Sequence, residues 1–431
     1  MPKRPCALAL TPDDLTIVIG DKFGDVYGLP LIAPDSDSAP KPEIEEQQKP
    51  APRPFKPSAT ELTVHSGRNR KALEAQMKQS PIPLTQKEPT VLTFAHELLL
   101  GHVSMLTAIA CVPVSHPLTS GGTNQRTYII TADRDEHIRI SRGPPQSYII
   151  DSYCFGHTSF VSSLCILPAS NNKILISGGG DDFLAIWDWQ KSTLIRKIDL
   201  RAALAKFWET QPVRQRRDKK TQAQTANDEA LLLQDAREAV GKAEQSTNPE
   251  ELVDEQADDE VEEKLVVSGI WALPHLQKQD TTSGDSEPEQ ATVVCALEGV
   301  PALFSFSLYF QSLQSLTDTT IETSVVPLAG NPLDVAVLGN EAQMLAISVD
   351  SIHKSGTTNE VRPGSNHIST VPRVQCFDLE SFQDVSTESA IVKALNEVAT
   401  TEVSSEEKDV KAIRELLYPN ANLRKRAGEE S

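Results

Sequence analysis

The chain has no surplus of basic residues. Its 41 Lys and Arg stand against 60 Asp and Glu, a formal net charge of −19 over 431 residues. That balance excludes a general nucleic-acid glue, because phosphate binding draws on surplus cations. Much of the excess acid lies in stretches of low hydrophobicity, so the folded part is nearer neutrality. No Cys-x-x-Cys pair occurs, and no histidine stands at zinc spacing from a cysteine. The six cysteines (Cys6, Cys111, Cys154, Cys165, Cys295, Cys376) are scattered instead. Several sit in apolar, strand-like runs, where a free thiol behaves as a small buried hydrophobe. This usage predicts a reducing compartment, the cytosol or nucleus. No apolar run of about 18 residues is present to span a membrane. The most hydrophobic stretch, residues 90–114, is interrupted by His96, Glu97, Gly101 and His102 and reads as two strands. The start of the chain lacks the apolar core of a signal peptide. Aromatic residues are few, at 5%, and helical periodicity is nearly absent from the apolar regions.

What is present is a repeated alternation of short β-branched runs and tight acidic or glycine turns. Residues 15–19 (LTIVI) lead into Gly20, Asp21, Lys22, Phe23, Gly24 and Asp25 and then Val26 and Tyr27. Residues 128–131 (YIIT) lead into Ala132, Asp133, Arg134, Asp135 and Glu136 and then 137–140. Residues 173–177 (KILIS) lead into Gly178, Gly179, Gly180, Asp181 and Asp182 and then 183–187. Strand, tight turn, strand is a hairpin. Weaker units follow at 292–310 and 332–377. Hairpins repeating at roughly 40–50 residues predict the blades of a β-propeller rather than a sandwich.

Four segments break the pattern. Residues 33–89 are rich in Pro, Ser, Lys and Glu and poor in large apolar side chains, so they cannot offset their ordering entropy and are expected to be a disordered insert. Residues 201–263 open with an amphipathic helix (Ala203, Leu204, Phe207, Trp208) and turn into a basic run and then an acidic one. Residues 277–290 and 351–370 read as polar loops. Residues 388–417 carry apolar side chains at helical spacing (Ile391, Leu395, Val398; Ile413, Leu416, Leu417) and predict short helices outside the blades. The domain reading is therefore blade 1–32, insert 33–89, blades 90–200, charged insert 201–263, blades 264–380, and a C-terminal helical segment with a basic tail at 381–431.

The most specific motif combines Gly156-His157, Ser177, Asp181 and Trp187-Asp188, the signature of a WD repeat. In that arrangement imidazole, hydroxyl, carboxylate and indole N–H satisfy one another as a buried structural relay (His157, Ser177, Asp181, Trp187). The same residue types could make a catalytic Ser/His/Asp set, but the fold alone explains the spacing. Gly101-His102 opens another such unit with Asp135 as its expected turn carboxylate and a degenerate tryptophan position. The run 132–137 is denser in charge than a turn requires. It lacks the glycine and the bidentate glutamate of a calcium loop, leaving a solvated turn or a binding rim that uses Arg134 and Arg139. Gly178-Gly179-Gly180 has neither Rossmann spacing nor a Walker lysine and reads as a hairpin turn. The basic clusters at 213–220 and 423–426 fit solvated charge, nuclear import or a phosphate contact.

Taken together, DKFGDVYGL, TADRDEHIRIS, FGHTSFVSSL, SGGGDDFLAIWDW and the terminal LLY…NLRKR resemble one family, the WD-repeat, non-catalytic subunit of the tRNA (guanine-N7)-methyltransferase, in a fungal form with long inserts. The likeness is dense over 6–189, thin over 265–379, and returns at the C-terminal motif. It implies an all-β, seven-bladed propeller that binds and stabilises a separate methyltransferase subunit, a heterodimer acting on tRNA in the nucleus. The catalytic subunit would carry the S-adenosylmethionine site, so this chain has no cofactor, metal or catalytic residue of its own. About five blades are visible here, which predicts either an incomplete ring or one closed by residues 379–417. Expected partner-binding residues are Phe155, His157, Thr158, Ser159 and Phe160 in the blade-entry loop and Arg134, Asp135, Asp181 and Asp182 in neighbouring turns. Expected tRNA contacts are Lys22, Arg134 and Arg139, helped by the 423–426 tail. The alternative is a generic WD-repeat adaptor in another nuclear or cytosolic complex.

Overall fold

The computed structural model describes residues 4–32, 70–71, 73, 96–117, 123–210, 264–274, 289–310, 321–338, 344–362, 371–379, 381–387, 390–397 and 407–425. The expected inserts 33–89 and 201–263 and the polar loop 277–290 lie largely outside them, and the polar loop 351–370 is described as far as Arg362.

The β-branched runs become strands, and each short acidic or glycine turn folds one strand back on the last. Five antiparallel sheets result among the described residues. Blade one holds β1 (Pro5–Leu10), β2 (Thr16–Asp21), β3 (Asp25–Pro30) and β4 (Glu97–Gly101). Blade two holds β5 (Leu106–Pro117), β6 (Thr123–Asp133), β7 (Ile138–Arg142) and β8 (Ile150–Cys154). Blade three holds β9 (Val161–Leu167), β10 (Ile174–Gly179), β11 (Phe183–Asp188) and β12 (Thr193–Asp199). Blade four holds β13 (Val267–Leu273), β14 (Glu289–Leu297), β15 (Ala302–Phe310) and β16 (Thr323–Pro327). Blade five holds β17 (Pro332–Leu338), β18 (Met344–Val349) and β19 (Val374–Asp378).

Within each sheet the strands follow chain order, and the first strands β1, β5, β9, β13 and β17 neighbour one another in succession. This is the architecture of WD-repeat propeller blades. Each first-to-second-strand ladder carries a register shift at the same end, at Pro5/Ala7, Leu106/Ala108, Gly178/Gly179, Val267/Gly269 and Pro332/Asp334. An extra residue there raises the local twist, and its recurrence marks one structural repeat.

The core lies between blades rather than in one centre. Because side chains alternate along a strand, Leu175 of β10 packs with Ile130 and Tyr128 of blade two, while Ile176 packs with Val293 and Phe304 of blade four. Leu345 and Ile347 join Val294 and Leu303, and Val18 and Val26 join Leu106 and Ile129. Strands buried on both faces read as continuous apolar runs, which is why strict alternation is weak in the sequence. Blade one differs. Leu8 and Leu98 on its outer strands are 65% and 58% exposed.

Helix α1 (Leu200–Thr210) follows β12 directly, its first amides received by Asp199 Oδ1 (Arg201 N 2.8 Å, Ala202 N 3.3 Å). Leu200, Ala203, Leu204 and Phe207 enter the core shared by blades three and four. Helix α2 (Ala390–Glu397) lies against β19, where Asn396 Oδ1 accepts from the amides of Arg373 and Val374. Helix α3 (Glu407–Leu417) leads into the final segment. Among the described residues no helix is long and apolar enough to cross a membrane.

Candidate partner-binding face

The blade-three relay is complete. Trp187 Nε1 donates to Ser177 Oγ at 2.8 Å, and that hydroxyl lies 2.7 Å from His157 Nε2. His157 Nδ1 lies 2.7 Å from Asp181 Oδ2. One direction of donation satisfies every group: indole N–H to hydroxyl, hydroxyl to Nε2, and Nδ1–H to carboxylate. Asp181 also receives the amides of Thr158 and Ser159 and the Thr158 hydroxyl. Burial alone would raise its pKa, but the His157 and Thr158 donors outweigh that and hold the carboxyl below its ordinary range. Ser177 is fully buried, and its hydroxyl is engaged on both sides. It is a structural post, not a nucleophile. The turn needs its glycines for space: a Cβ at Gly179 would overlap the Phe160 carbonyl.

Blade two repeats the device with a different carboxylate. His102 Nε2 lies 2.7 Å from Thr131 Oγ1, and His102 Nδ1 is 3.3 Å from Asp133 Oδ2, not from the expected Asp135. Asp133 ends β6 with its side chain turned inward, where its Oδ1 accepts the amides of Asp135 and His137. Asp135 falls on the outer part of the turn. Blade five has a related carboxylate one residue past its second strand: Asp350 Oδ1 accepts the amides of Ile352 and His353, and Oδ2 meets His353 Nδ1 at 2.7 Å.

Arg139 is a second correction. It was expected on a tRNA-facing rim, yet it is 7% exposed. Its Nε donates to Ser141 Oγ at 2.9 Å and its Nη1 to the Gly101 carbonyl at 2.9 Å. In register Ser141 opposes Ile129 as Trp187 opposes Leu175. Ser141 thus stands at the tryptophan position, and the guanidinium from two residues earlier is tied to it and to the Gly101 carbonyl rather than to the Thr131 hydroxyl, which donates to the Arg139 carbonyl.

The C-terminal residues 418–425 cross the same ends of the blades. Tyr418 is buried, with its hydroxyl on Asp350 Oδ2 and 3.0 Å from Asn331 Nδ2. Asn420 N donates to Glu298 Oε1 at 3.0 Å. Leu423 is buried beside Phe160 and Val266. Arg424 Nη2 donates to the carbonyls of Gly180 (2.9 Å) and Leu265 (3.0 Å), and its guanidinium lies 5.6 Å from the Phe160 ring centre. Arg134 Nε donates to the Leu423 carbonyl at 2.8 Å, and Lys425 meets Asp135 at 3.1 Å. Burial opposes ionisation of Asp135, but Lys425 and Ser104 overcome it and lower its pKa. The tail expected to reach outward to phosphates is thus engaged on the chain itself as far as Lys425; Arg426 lies outside the described residues.

Between this segment and the blade-three turn lies an open cleft of about 380 Å³. It gathers Arg134, Thr158, Ser159, Phe160, Asp181 and Asp182 from the expected set. His157 and Asp181 are held in the relay, and Phe160 is buried under the segment. Asp182 pairs with Arg201 of α1. Phe155 stands apart at 65% exposure, stacked on Tyr153 with ring centres 5.5 Å apart and edge-on to His137. Lys22 is exposed in the β2–β3 turn, over the ring of Phe23. Lys264 and Arg201 also border the cleft; nothing in their local sequence marked them. The six cysteines are free thiols, and burial pushes Cys6 and Cys165 up to about 11 and Cys111, Cys154 and Cys295 up to about 12.

The family described as the tRNA methyltransferase TRM82 WD40 domain matches residues 1–377. The chain is 36% identical to the tRNA (guanine-N(7)-)-methyltransferase non-catalytic subunit TRM82 of Phaeosphaeria nodorum over 442 aligned residues, which cover 100% of this chain and 75% of that protein. It is 38% identical to the subunit of the same name from Coccidioides immitis, covering 100% and 71%. The corresponding Aspergillus clavatus subunit is 36% identical, covering 99% and 70%. With a family match over most of its length and relatives similar from end to end of this sequence, the chain belongs to the TRM82 WD40 family.

Proposed function

We propose that this chain is the non-catalytic scaffold subunit of a tRNA (guanine-N7)-methyltransferase, binding and stabilising a separate methyltransferase subunit. The observation that carries the reading is similarity along the entire chain to subunits so named. The geometry is consistent with it, since the Ser/His/Asp set of blade three is consumed by the fold. A scaffold of this kind acts by linkage: whatever binds only the competent conformation of its partner populates that conformation.

The partner meets the cleft side of blades two and three in this reading. Arg134, Asp135, Thr158, Ser159 and Asp182 supply polar contacts, and Phe155 is a solvent-exposed ring suited to anchor an interface. His157, Phe160 and Asp181 serve the face from beneath it. Transfer-RNA binding belongs to the heterodimer, because a chain of net charge −19 has no surplus of cations to offer phosphate. Lys22 and Arg134 then position the backbone without reading sequence. In this reading the complex works in the nucleus, for which basic clusters such as residues 213–220 would serve import. Affinity capture followed by mass spectrometry tests the reading: a methyltransferase should co-purify, and the isolated chain should show no turnover with tRNA and S-adenosylmethionine. Capture of other assemblies without a methyltransferase would favour a generic WD-repeat adaptor.

A further inference from the structure

No blade motif accounts for residues 418–425, yet each step of this segment is anchored on a different blade. Tyr418 sits in the buried network of blade five, Asn420 on blade four, Arg424 between blades four and three, and Lys425 on blade two. The four interblade cores contain no residue of this segment. Leu423 instead joins a small separate cluster with Phe160 and Val266 at the blade ends. Beyond Tyr418, then, the segment is an addition to the propeller surface rather than a part of its core.

What it contacts is specific. Leu423 offers its carbonyl to Arg134, Lys425 neutralises Asp135, and Arg424 holds the Gly180 carbonyl in the turn that carries Asp182. We propose that residues 418–425 form a strap that is an integral part of the docking face for the catalytic subunit, ordering Arg134, Asp135 and the blade-three turn before the partner arrives, with Arg424 as the positioning residue. The proposal rests on the scaffold reading above. Its physical basis is preorganisation: long side chains and a turn fixed in the free chain cost less to immobilise on binding.

The test titrates the full chain, a version ending at Pro419, Arg424→Gln and Arg424→Lys with the catalytic methyltransferase subunit, recording a melting curve for each. Ending at Pro419 keeps Tyr418 and its blade-five network. Truncation and Arg424→Gln should weaken binding by about tenfold or more, with melting temperatures within about 3 °C of wild type. Arg424→Lys should recover part of the loss, because an ammonium still reaches the two carbonyls. In an Arg134→Ala background the truncation should cost much less, since a group it positions is already gone. Unchanged affinity on truncation overturns the strap and leaves the scaffold reading standing. Tighter binding by the truncated chain overturns it too, because the segment would then cover the face. Losses that track a fall in melting temperature assign the segment to stability alone and overturn it as well. Failure of the intact chain to bind the catalytic subunit removes the scaffold reading itself.

Discussion

Aspartate 181 shows how one carboxylate can hold a blade together. It ends a chain of donors that begins at the Trp187 indole, and it also receives the loop amides of Thr158 and Ser159. Replacing it with alanine leaves the His157 imidazole and those amides buried without an acceptor, at a cost of about 1–3 kcal/mol. Thermal melts of Asp181→Ala and His157→Ala measure it, and unchanged midpoints would mean that the relay contributes nothing. Arg139 makes the opposite point, because its charge looks functional and its position is structural. Arg139→Met should lower the melting temperature of the isolated chain, whereas Arg134→Ala should leave it nearly unchanged. If Arg139→Met melts like wild type while weakening tRNA binding by the complex, the buried assignment fails.

At the scale of elements, α1 welds two blades. Phe207 is 3% exposed among Leu204, Leu200 and core residues of blades three and four. Truncating a buried phenylalanine removes its transfer energy and opens a cavity, which predicts about 3–5 kcal/mol for Phe207→Ala. Denaturant midpoints of the two proteins check it, and a change below about 1 kcal/mol would show α1 to be merely docked. The β10–β11 hairpin was legible from its glycines and WD dipeptide, since strand, turn and strand are contiguous. The choice of Asp133 over Asp135 in blade two was not. Both stand at one charged turn, and only the end of β6 decides: Asp133 is still in the strand and buried, whereas Asp135 lies beyond it in the turn.

For the whole molecule, acid should loosen two blades over one pH range. In each case burial opposes ionisation, but hydrogen bonds win: His157 and Thr158 lower the pKa of Asp181, and His353 and Tyr418 lower that of Asp350. A depressed folded-state pKa gives stability that is present above the unfolded value of about 3.9 and is lost as pH falls through the folded value. Melting temperature should therefore drop below about pH 4, and less steeply in an Asp181→Asn, Asp350→Asn double variant. Equal slopes would refute the assignment. Blade one presents Leu8, Leu10, Leu15 and Leu98 to solvent, and apolar patches of this kind promote self-association. Light scattering should show less association for Leu8→Lys with Leu98→Glu than for wild type; no difference would mean that this face is not the sticky one.

The repeating hairpins, the blade-three relay and the family likeness could be read from the residues alone, because each lies within one blade's length of chain or in short contiguous motifs. Short β-branched apolar runs and glycine or aspartate turns act locally, and a hydrogen-bonded relay demands fixed residue types at fixed offsets. Where Arg139 points, which aspartate serves His102, and the return of the basic tail to the propeller came instead from long-range packing. Arg134 and Leu423 are 289 positions apart, and Arg424 and Gly180 are 244 apart. No local pattern encodes such a meeting. It follows from the succession of blades that brings the turns of four of them to one side, where a short segment with a tyrosine, a leucine and two cations meets each in order.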